Sequence, residues 1–428
     1  MNILLVNTFS FGGAAQSCIR LHRGLLDFNP AGKLLIQYAK GNLPPNTYLY
    51  TKPSPGFAQK MKDKALRIFS EFKLAPPTPH RKEKDFIQKR QPDLEMFSFP
   101  FADTDITQNP HYQQADIVNL HWVSGFLDYE SFFKKNHKPI VWTLHDMNAF
   151  LGGEHYEERF LGVNEVGYPI PRQISPEESY WHNKIIAEKK KILAPVKNMH
   201  IVSPSQWLSK ASQNSEVLGH FPHHTIPYGI PLDIFRPHPQ HFCRDLLGLP
   251  KDKIVLLFVA VSVNSARKGF IFLKKAIEQI QNPDIHICIL GANSGLSYPS
   301  KNKTELGQVQ DELLMSVAYS AADLFIIPSL EDNLPNTVLE SLGCGTPVVG
   351  FPTGGIVDMI QDGKNGYLCP EISVYSLKET INKFMLNPFA FDRAKIREDA
   401  LSKYDLKIQA QAYLKLYQDI LQNIPRLK

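Results

Sequence analysis

Short runs that are apolar at nearly every position, each followed by a stretch of helical spacing, recur from one end of this 428-residue chain to the other. Such a run is too short for a helix and lacks polar alternation, so it reads as a strand buried on both faces. Strands that alternate with helices build a parallel sheet covered on both sides. NILLVN (2–7) opens the series, followed by the loop TFSFGG and a helical pattern from Ala14 to Leu26 with Ile19, Leu21, Leu25 and Leu26 as its apolar positions. LLIQYA (34–39), DIVNLHW (116–122), PIVWTLH (139–145) and MHIVSPS (199–205) read as further strands, with a helix from Pro176 to Leu193 among the connections. Residues 219–240 are rich in Pro and His, have no helical period, and read as an interdomain connection.

The alternation then restarts. KIVLLFVAV (253–261), IHICILG (285–291), DLFIIPS (323–329) and TPVVGF (346–351) are the strand candidates. Helices are expected from Lys268 to Gln281, near Val309–Ala321 and from about Asn336 to Cys344, with a short one after Gly354-Gly355 and the turn DGKNG (362–366) beyond it. Asp405–Ile424 is amphipathic and reads as a closing helix. Two α/β domains of similar kind follow from this pattern. At about 150 residues per domain, the length agrees with two or three.

Composition narrows the class. Hydrophobic residues at 43% and charged residues at 21% exclude a disordered chain, a collagen-like fibre and a small disulfide scaffold. No apolar run reaches the roughly 18 residues needed to span a bilayer, and the first residues read as a strand, not a signal peptide. Five dispersed cysteines, Cys18, Cys243, Cys288, Cys344 and Cys369, fit reduced cytoplasmic thiols better than disulfides or zinc. Of the net charge of +5, residues 51–90 carry +7 and the rest of the chain −2. The positive charge is therefore one local patch, which implies an anionic partner for one surface and no general nucleic-acid binding. Within it, residues 55–73 form a basic amphipathic pattern. The reading taken is a surface helix with solvated lysines; peripheral contact of 55–90 with an anionic membrane at its inner face is the alternative.

The densest segment for chemistry is FIIPSLEDNLPNTVLESLGCGTPVVGF (325–351). Open parallel sheets bind ligands beyond the carboxyl ends of their strands. Here a strand ends, an acidic loop follows, and a helix starts with Pro335 near the first-turn position it favours. The free N–H groups of that helix suit a phosphate. Glu340, one turn inside, is near enough to reach a ribose diol, and Asp332 is placed to accept from sugar hydroxyls. The plain alternative is that Asp332 or Asn333 caps the helix and Glu340 faces solvent. In VAVSVNSARKGF (259–270), Arg267 and Lys268 between a strand and a helix can clamp a pyrophosphate. In the first half, Gly12 and Gly13 bring backbone close to a neighbour, and His121 and His145 end two strands and should face the interdomain crevice. The absence of GxGxxG argues against a dinucleotide site and a dehydrogenase. Asp103-Thr104-Asp105 imitates a DxD metal motif but lies in a loop with no following strand, and carries little weight.

These residues resemble a known family. FSFGGAAQS, DIVNLHW, WTLHD, IVSPSQW and IPYGIPLDIFRP, then RKGF, AADLFIIPS, EDNLPNTVLESLGCGTPVVGF and DGKNGYLC, stand in the order of the retaining nucleotide-sugar glycosyltransferases of family 4, and span nearly the whole chain. The resemblance implies the GT-B fold: two Rossmann-like doubly wound domains facing each other across a cleft. Residues 1–218, completed by the C-terminal helix 405–428, would form the acceptor-side domain, and residues 219–404 the nucleotide-sugar domain. The family's two acidic residues with seven residues between them fall on Asp332 and Glu340. An aspartate in the first place is a departure, and Glu331 is the alternative occupant. The family's earlier phosphate-loop arginine is missing; Lys268-Gly269 match, and Arg267 is the substitute.

The implied roles are as follows. Arg267 and Lys268 bind the donor diphosphate, and Glu340 holds the ribose. Asp332, Asn333 and the backbone of Leu334, Pro335, Asn336 and Thr337 hold the sugar and phosphate. His145 contacts the donor sugar from the opposite domain and His121 lies on the acceptor side. Gly12 and Gly13 line the cleft, and residues around Gly307–Val309 meet the base. No metal and no bound cofactor are expected, since cations and a helix end stabilise the leaving diphosphate. The partners are a nucleotide-sugar donor and a glycan, lipid-linked or protein acceptor, in surface polysaccharide or glycoconjugate biosynthesis. A nucleotide-sugar epimerase of the same fold and a catalytically dead sugar-nucleotide-binding module are the other two readings.

Overall fold

The computed structural model describes residues 1–52, 80–91, 94–262, 265–280, 282–292 and 302–423. The amphipathic segment 55–73 lies outside the described residues.

In chain order the strands are β1 Ile3–Phe9, β2 Lys33–Tyr38, β3 Thr47–Leu49, β4 Ile117–Leu120, β5 Ile140–Thr143, β6 Phe160–Val163, β7 Pro169–Pro171, β8 Met199–Ser203 and β9 His223–Thr225 in the first half. The second half has β10 Ile254–Ser262, β11 Ile285–Ala292, β12 Lys303–Gly307, β13 Leu324–Ile327, β14 Val348–Gly350 and β15 Gly366–Leu368. The first sheet has the order β3-β2-β1-β4-β5-β8-β9 and the second β12-β11-β10-β13-β14-β15. Every pairing in both is parallel. Each sheet reverses direction once, between β1 and β4 and between β10 and β13. A crevice opens at such a point, beyond the carboxyl ends of the strands. The fold is GT-B.

The apolar runs behave as their composition dictates. Leu4, Val6, Val118, Leu120 and Trp142 face one core, and Ile3, Leu5, Ile117 and Val141 face another on the opposite side of the same sheet. The helix Leu406–Gln422 covers that second side, where Ala410, Tyr413, Leu416, Tyr417 and Ile420 pack. Its stripe at four-residue spacing is polar. Tyr417 Oη accepts from Asn119 Nδ2 at 2.6 Å, Tyr413 Oη meets Thr143 Oγ1 at 3.0 Å, and Gln409 Oε1 accepts from Gly229 N–H at 2.9 Å. Buried polar groups are tolerated here because each has its partner.

Several elements differ from the sequence expectation. β9 belongs to the first sheet, so the chain leaves that domain after Thr225 and not at 218. His223-His224-Thr225 carries no apolar residue to announce a strand. β12 and β15 are edge strands with little apolar content, and the hairpin β6–β7 is short and irregular. None has the apolar run of an inner strand. The helix expected from Pro176 to Leu193 has those bounds, with Ser175 and Glu178 forming a reciprocal capping box. The two segments that cross between the domains lie side by side: Ile230 N–H donates to Tyr404 O at 2.9 Å. A Cβ on Gly229 would stand 2.8 Å from Leu406 Cα, so the crossing is close enough to demand glycine.

Candidate active site

The site forms where the two switch points face each other. On the second domain, β10 leads into a short turn, Ala266–Lys268, which Gly269 closes at φ 67°. A Cβ there would sit 1.8 Å from Pro328 O, so the turn is pressed against the end of β13 and only glycine fits. This places Arg267 and Lys268 against the loop Leu330–Pro335. Lys268 Nζ donates to Asp332 Oδ2 at 2.5 Å, and Arg267 Nη1 lies 3.6 Å from Asp332 Oδ1. Burial alone would raise the Asp332 carboxyl, but the two cations hold it below its ordinary value. Arg267 stacks on Tyr156, 4.1 Å from the ring centre, and donates Nε–H to Glu95 Oε1 at 2.7 Å and Nη1–H to Glu331 O at 2.9 Å. Burial opposes its charge; the Tyr156 oxygen, Asp332 and Glu95 outweigh that and raise its pKa.

Asp332 and Glu331 are thereby separated. Asp332 faces the cations, whereas Glu331 accepts backbone N–H groups of Glu158 at 3.0 Å and Glu157 at 3.3 Å from the first domain. The helix Asn336–Gly343 has no side-chain cap at Pro335, so the capping alternative does not hold. Its first N–H groups remain for a ligand. Asn333 instead bridges the domains: it donates Nδ2–H to His145 O at 3.1 Å and accepts from Ser205 Oγ at 2.6 Å. Gly354 and Gly355 support this loop from below, and a Cβ on either would lie 1.8 or 1.7 Å from the carbonyl oxygens of Asp332 and Asn333. Leu334 and Pro335 are buried, and Asn336 and Thr337 are half-buried.

On the first domain, a Cβ on Gly12 or Gly13 would meet nothing within 4 Å, so both line open space, while Asn336 Nδ2 donates to Gly13 O at 3.2 Å. His145 stands at the end of β5, as expected, but both its ring nitrogens are engaged within the first domain and at the hinge. Nε2 meets His121 Nδ1 at 2.9 Å and Nδ1 meets Tyr228 Oη at 2.7 Å. Burial pushes His145 down to about 4 and His121 well below its usual value, so the pair is neutral. The atom of His145 that reaches the second domain is its carbonyl oxygen. His121 Nε2 is buried without a hydrogen-bond partner. Gly307 has φ 68° with open space beside it, and Val309 packs partly on the second core.

Several residues to which the sequence assigned no role are built into the site. Arg20, on the helix Gly13–Phe28, reaches across to Glu340 at 2.7 Å and to Glu312 at 2.9 Å. Tyr228 and Glu95 hold His145 and Arg267. None had a local signal, because each acts through a partner more than 70 residues distant in sequence. Asp105, the second acid of the DxD imitation, accepts from Thr107 N–H at 3.0 Å and pairs with Lys135 at 2.7 Å, an ordinary turn cap. Among the described residues, no group of three or more His, Cys, Asp or Glu is placed to hold a metal, and no helix is long and apolar enough to cross a membrane. All five cysteines are buried and unpaired.

Comparison with known proteins points the same way. Residues 253–387 match the family model Glycosyl transferases group 1. A D-inositol 3-phosphate glycosyltransferase of Mycolicibacterium smegmatis is 28% identical over 306 residues, 68% of this chain and 64% of that protein. D-inositol 3-phosphate glycosyltransferase 2 of Catenulispora acidiphila is 30% identical over 162 residues, 34% of this chain and 38% of that one. The chain thus spans less than two thirds of the length of these curated relatives. Among solved structures, sucrose-phosphate synthase of Thermosynechococcus elongatus superposes with a TM-score of 0.67 at 17% identity, covering 99% of both chains. Anabaena HepE in complex with UDP and glucose superposes at 0.65 and 14% identity, covering 98% of this chain and 99% of that one.

Proposed function

We propose that this chain, whose residues 253–387 belong to the glycosyl transferases group 1 family, is a retaining family 4 enzyme. It moves a sugar from a nucleoside diphosphate donor to a glycan, lipid-linked or protein acceptor, in polysaccharide or glycoconjugate synthesis at the cytoplasmic side of a membrane. The observation that carries the reading is one arrangement. Two cations, Arg267 and Lys268, are held against the buried carboxylate of Asp332 at the switch point of the second sheet, in the loop that leads into the uncapped helix start at Asn336 and to buried Glu340 one turn inside it.

In this reading Arg267, Lys268 and the N–H groups of Asn336 and Thr337 take the diphosphate. As the glycosidic bond to the donor breaks, negative charge grows on the departing phosphate oxygen. Fixed cations and helix N–H groups already stand there, so little reorganisation is needed when the charge appears. The sugar's hydroxyls are held by Asp332 and Asn333, and by the first domain through His145 O. Glu340 accepts from the ribose. No metal is required for this stabilisation. Lys268 is paired with Asp332, so an incoming phosphate shares a cation already held in place. Peripheral membrane contact through 55–90 rests on the +7 charge of residues 51–90.

The test is a screen of UDP-, GDP- and ADP-sugars for binding and slow hydrolysis, with and without EDTA, followed by NMR of the released sugar's anomeric configuration. One donor that is hydrolysed with retention despite EDTA is the expected result. Isomerised sugar still attached to its nucleotide would make the protein an epimerase. Binding without any turnover, acceptors included, would make it a sugar-nucleotide-binding module.

A further inference from the structure

Arg20 is the least expected member of the site. It lies in the middle of the helix Gly13–Phe28, is 1% exposed, and directs its guanidinium into the second domain. Nη2 donates to Glu340 Oε1 at 2.7 Å and to Glu312 Oε1 at 2.9 Å, Nε donates to Glu312 Oε1 at 3.0 Å, and Nη1 donates to Asn336 Oδ1 at 3.3 Å. The Phe235 ring lies 5.1 Å from its central carbon. On the far side of the carboxylate, Tyr319 Oη donates to Glu340 Oε2 at 3.1 Å.

An ionised carboxylate offers about four lone-pair positions on its two oxygens. At Glu340 the protein fills one on each oxygen, through Arg20 and Tyr319. One position per oxygen is left, which matches two adjacent hydroxyls. A protonated carboxyl has a hydrogen on one oxygen and loses that symmetry. Burial pushes Glu340 above its ordinary range; Arg20 and the Tyr319 hydroxyl pull it back, and Glu312 adds a small upward push. Two other titratable groups face this cluster. Arg23 stands 3.6 Å from Glu312, and Cys344, the residue that caps the C-terminus of Glu340's helix, is a buried thiol pushed up to about 12 and therefore neutral.

We propose that Arg20 is a positioning residue for the donor nucleotide: it orients the Glu340 carboxylate so that one lone pair on each oxygen is left for the ribose 2′- and 3′-hydroxyls, selecting a ribonucleotide over its 2′-deoxy form. Because Arg20 comes from the first domain, this selection exists only while the domains are together. The proposal rests on the reading of Glu340 as the ribose group.

Calorimetric titration of the full chain with UDP, GDP and ADP, each against its 2′-deoxy counterpart, separates the two ideas. Wild type should prefer one ribonucleotide over its deoxy form by about tenfold, the worth of one hydrogen bond to a charged acceptor. In Arg20→Gln the ribonucleotide should lose about tenfold in affinity while the deoxy form loses less, bringing the two within about threefold. Its affinity should also depend more steeply on pH than that of wild type, because without the guanidinium burial pushes the Glu340 carboxyl further up. Arg20→Lys keeps the charge but not the fork, so it should recover the wild-type pH profile and not the discrimination; it also serves if Arg20→Gln fails to fold. Equal losses for ribo- and deoxynucleotide in both variants, with no change in pH profile, would reduce Arg20 to a structural bridge and overturn the proposal alone. A wild type that binds none of the six nucleotides would overturn the donor reading, and this proposal with it.

Discussion

Replacing Lys268 by methionine removes one charge and little volume. Lys268 Nζ stands 2.5 Å from Asp332 Oδ2, with the lysine side chain 27% exposed and the aspartate 9%. Losing one member of a buried pair costs about 3–5 kcal/mol when the other is left alone. Asp332 is not left alone. Arg267 remains at 3.6 Å and Asn333 N–H still donates at 3.1 Å, so the loss of stability should be nearer 1–3 kcal/mol, on the order of one charged hydrogen bond. The functional loss should be larger and confined to phosphate. One missing cation costs a diphosphate about 1.5–3 kcal/mol of binding, or roughly 10–100-fold in Kd. Turnover should fall by about 10²–10³, because the charge that develops on the leaving group is what Lys268 faces. The assay compares the nucleoside diphosphate that wild type binds with its bare nucleoside, by calorimetry, alongside donor hydrolysis. Affinity for the nucleoside should not change. Equal losses for nucleoside and nucleotide would mean that the substitution disturbed the fold of the loop, and an unchanged Kd for both would remove Lys268 from the phosphate site.

Further outcomes are expected. Gly355→Ala would drive a Cβ to 1.7 Å from Asn333 O and must displace the Asp332–Asn333 loop by more than 1 Å, so hydrolysis should fall at least about 100-fold while the first domain melts as in wild type; retained activity would show that the loop is not positioned from below. Tyr228→Phe keeps the ring but removes the hydrogen bond to His145 Nδ1, and should lower kcat with little change in donor KM; a change in KM alone would place Tyr228 in binding. His145 is neutral in the folded protein, with its pKa pushed down to about 4 by burial. A group whose folded pKa lies below its unfolded one contributes stability above the unfolded value of about 6.5, and that contribution is lost as the pH falls toward 4. Denaturation midpoints measured from pH 7 to pH 4 should therefore drop less steeply in His145→Gln than in wild type, and parallel curves would contradict the assignment.

The chain's own arrangement of residues made the architecture legible. Wholly apolar runs such as KIVLLFVAV cannot be half-exposed strands, and their alternation with helical stretches leaves a parallel sheet as the outcome. Motif order singled out Arg267, Lys268, Asp332 and Glu340; the structure pairs the two cations with Asp332 and sets Glu340 on the helix that follows that loop. The edge strands β3, β9, β12 and β15 escaped notice because a strand with one neighbour needs little apolar surface. His145 shows the limit within a correct reading. Its place at the end of β5 follows from the pattern, but the engagement of both ring nitrogens by His121 and Tyr228 does not, since that depends on where residue 228 of the crossover comes to rest.

What the sequence determined by itself was periodicity and local chemistry: which segments are strands, where the helix at Asn336 begins, which residues bear charge near a strand end. Those depend on neighbours within a few residues. The tertiary structure alone decided the pairings across the cleft: Arg20 with Glu340, Glu95 with Arg267, Glu331 with the backbone of Glu157 and Glu158, Asn333 with Ser205 and His145. Each joins residues more than 120 positions apart, and each is settled by how two preformed sheets come to face one another, which no local pattern encodes.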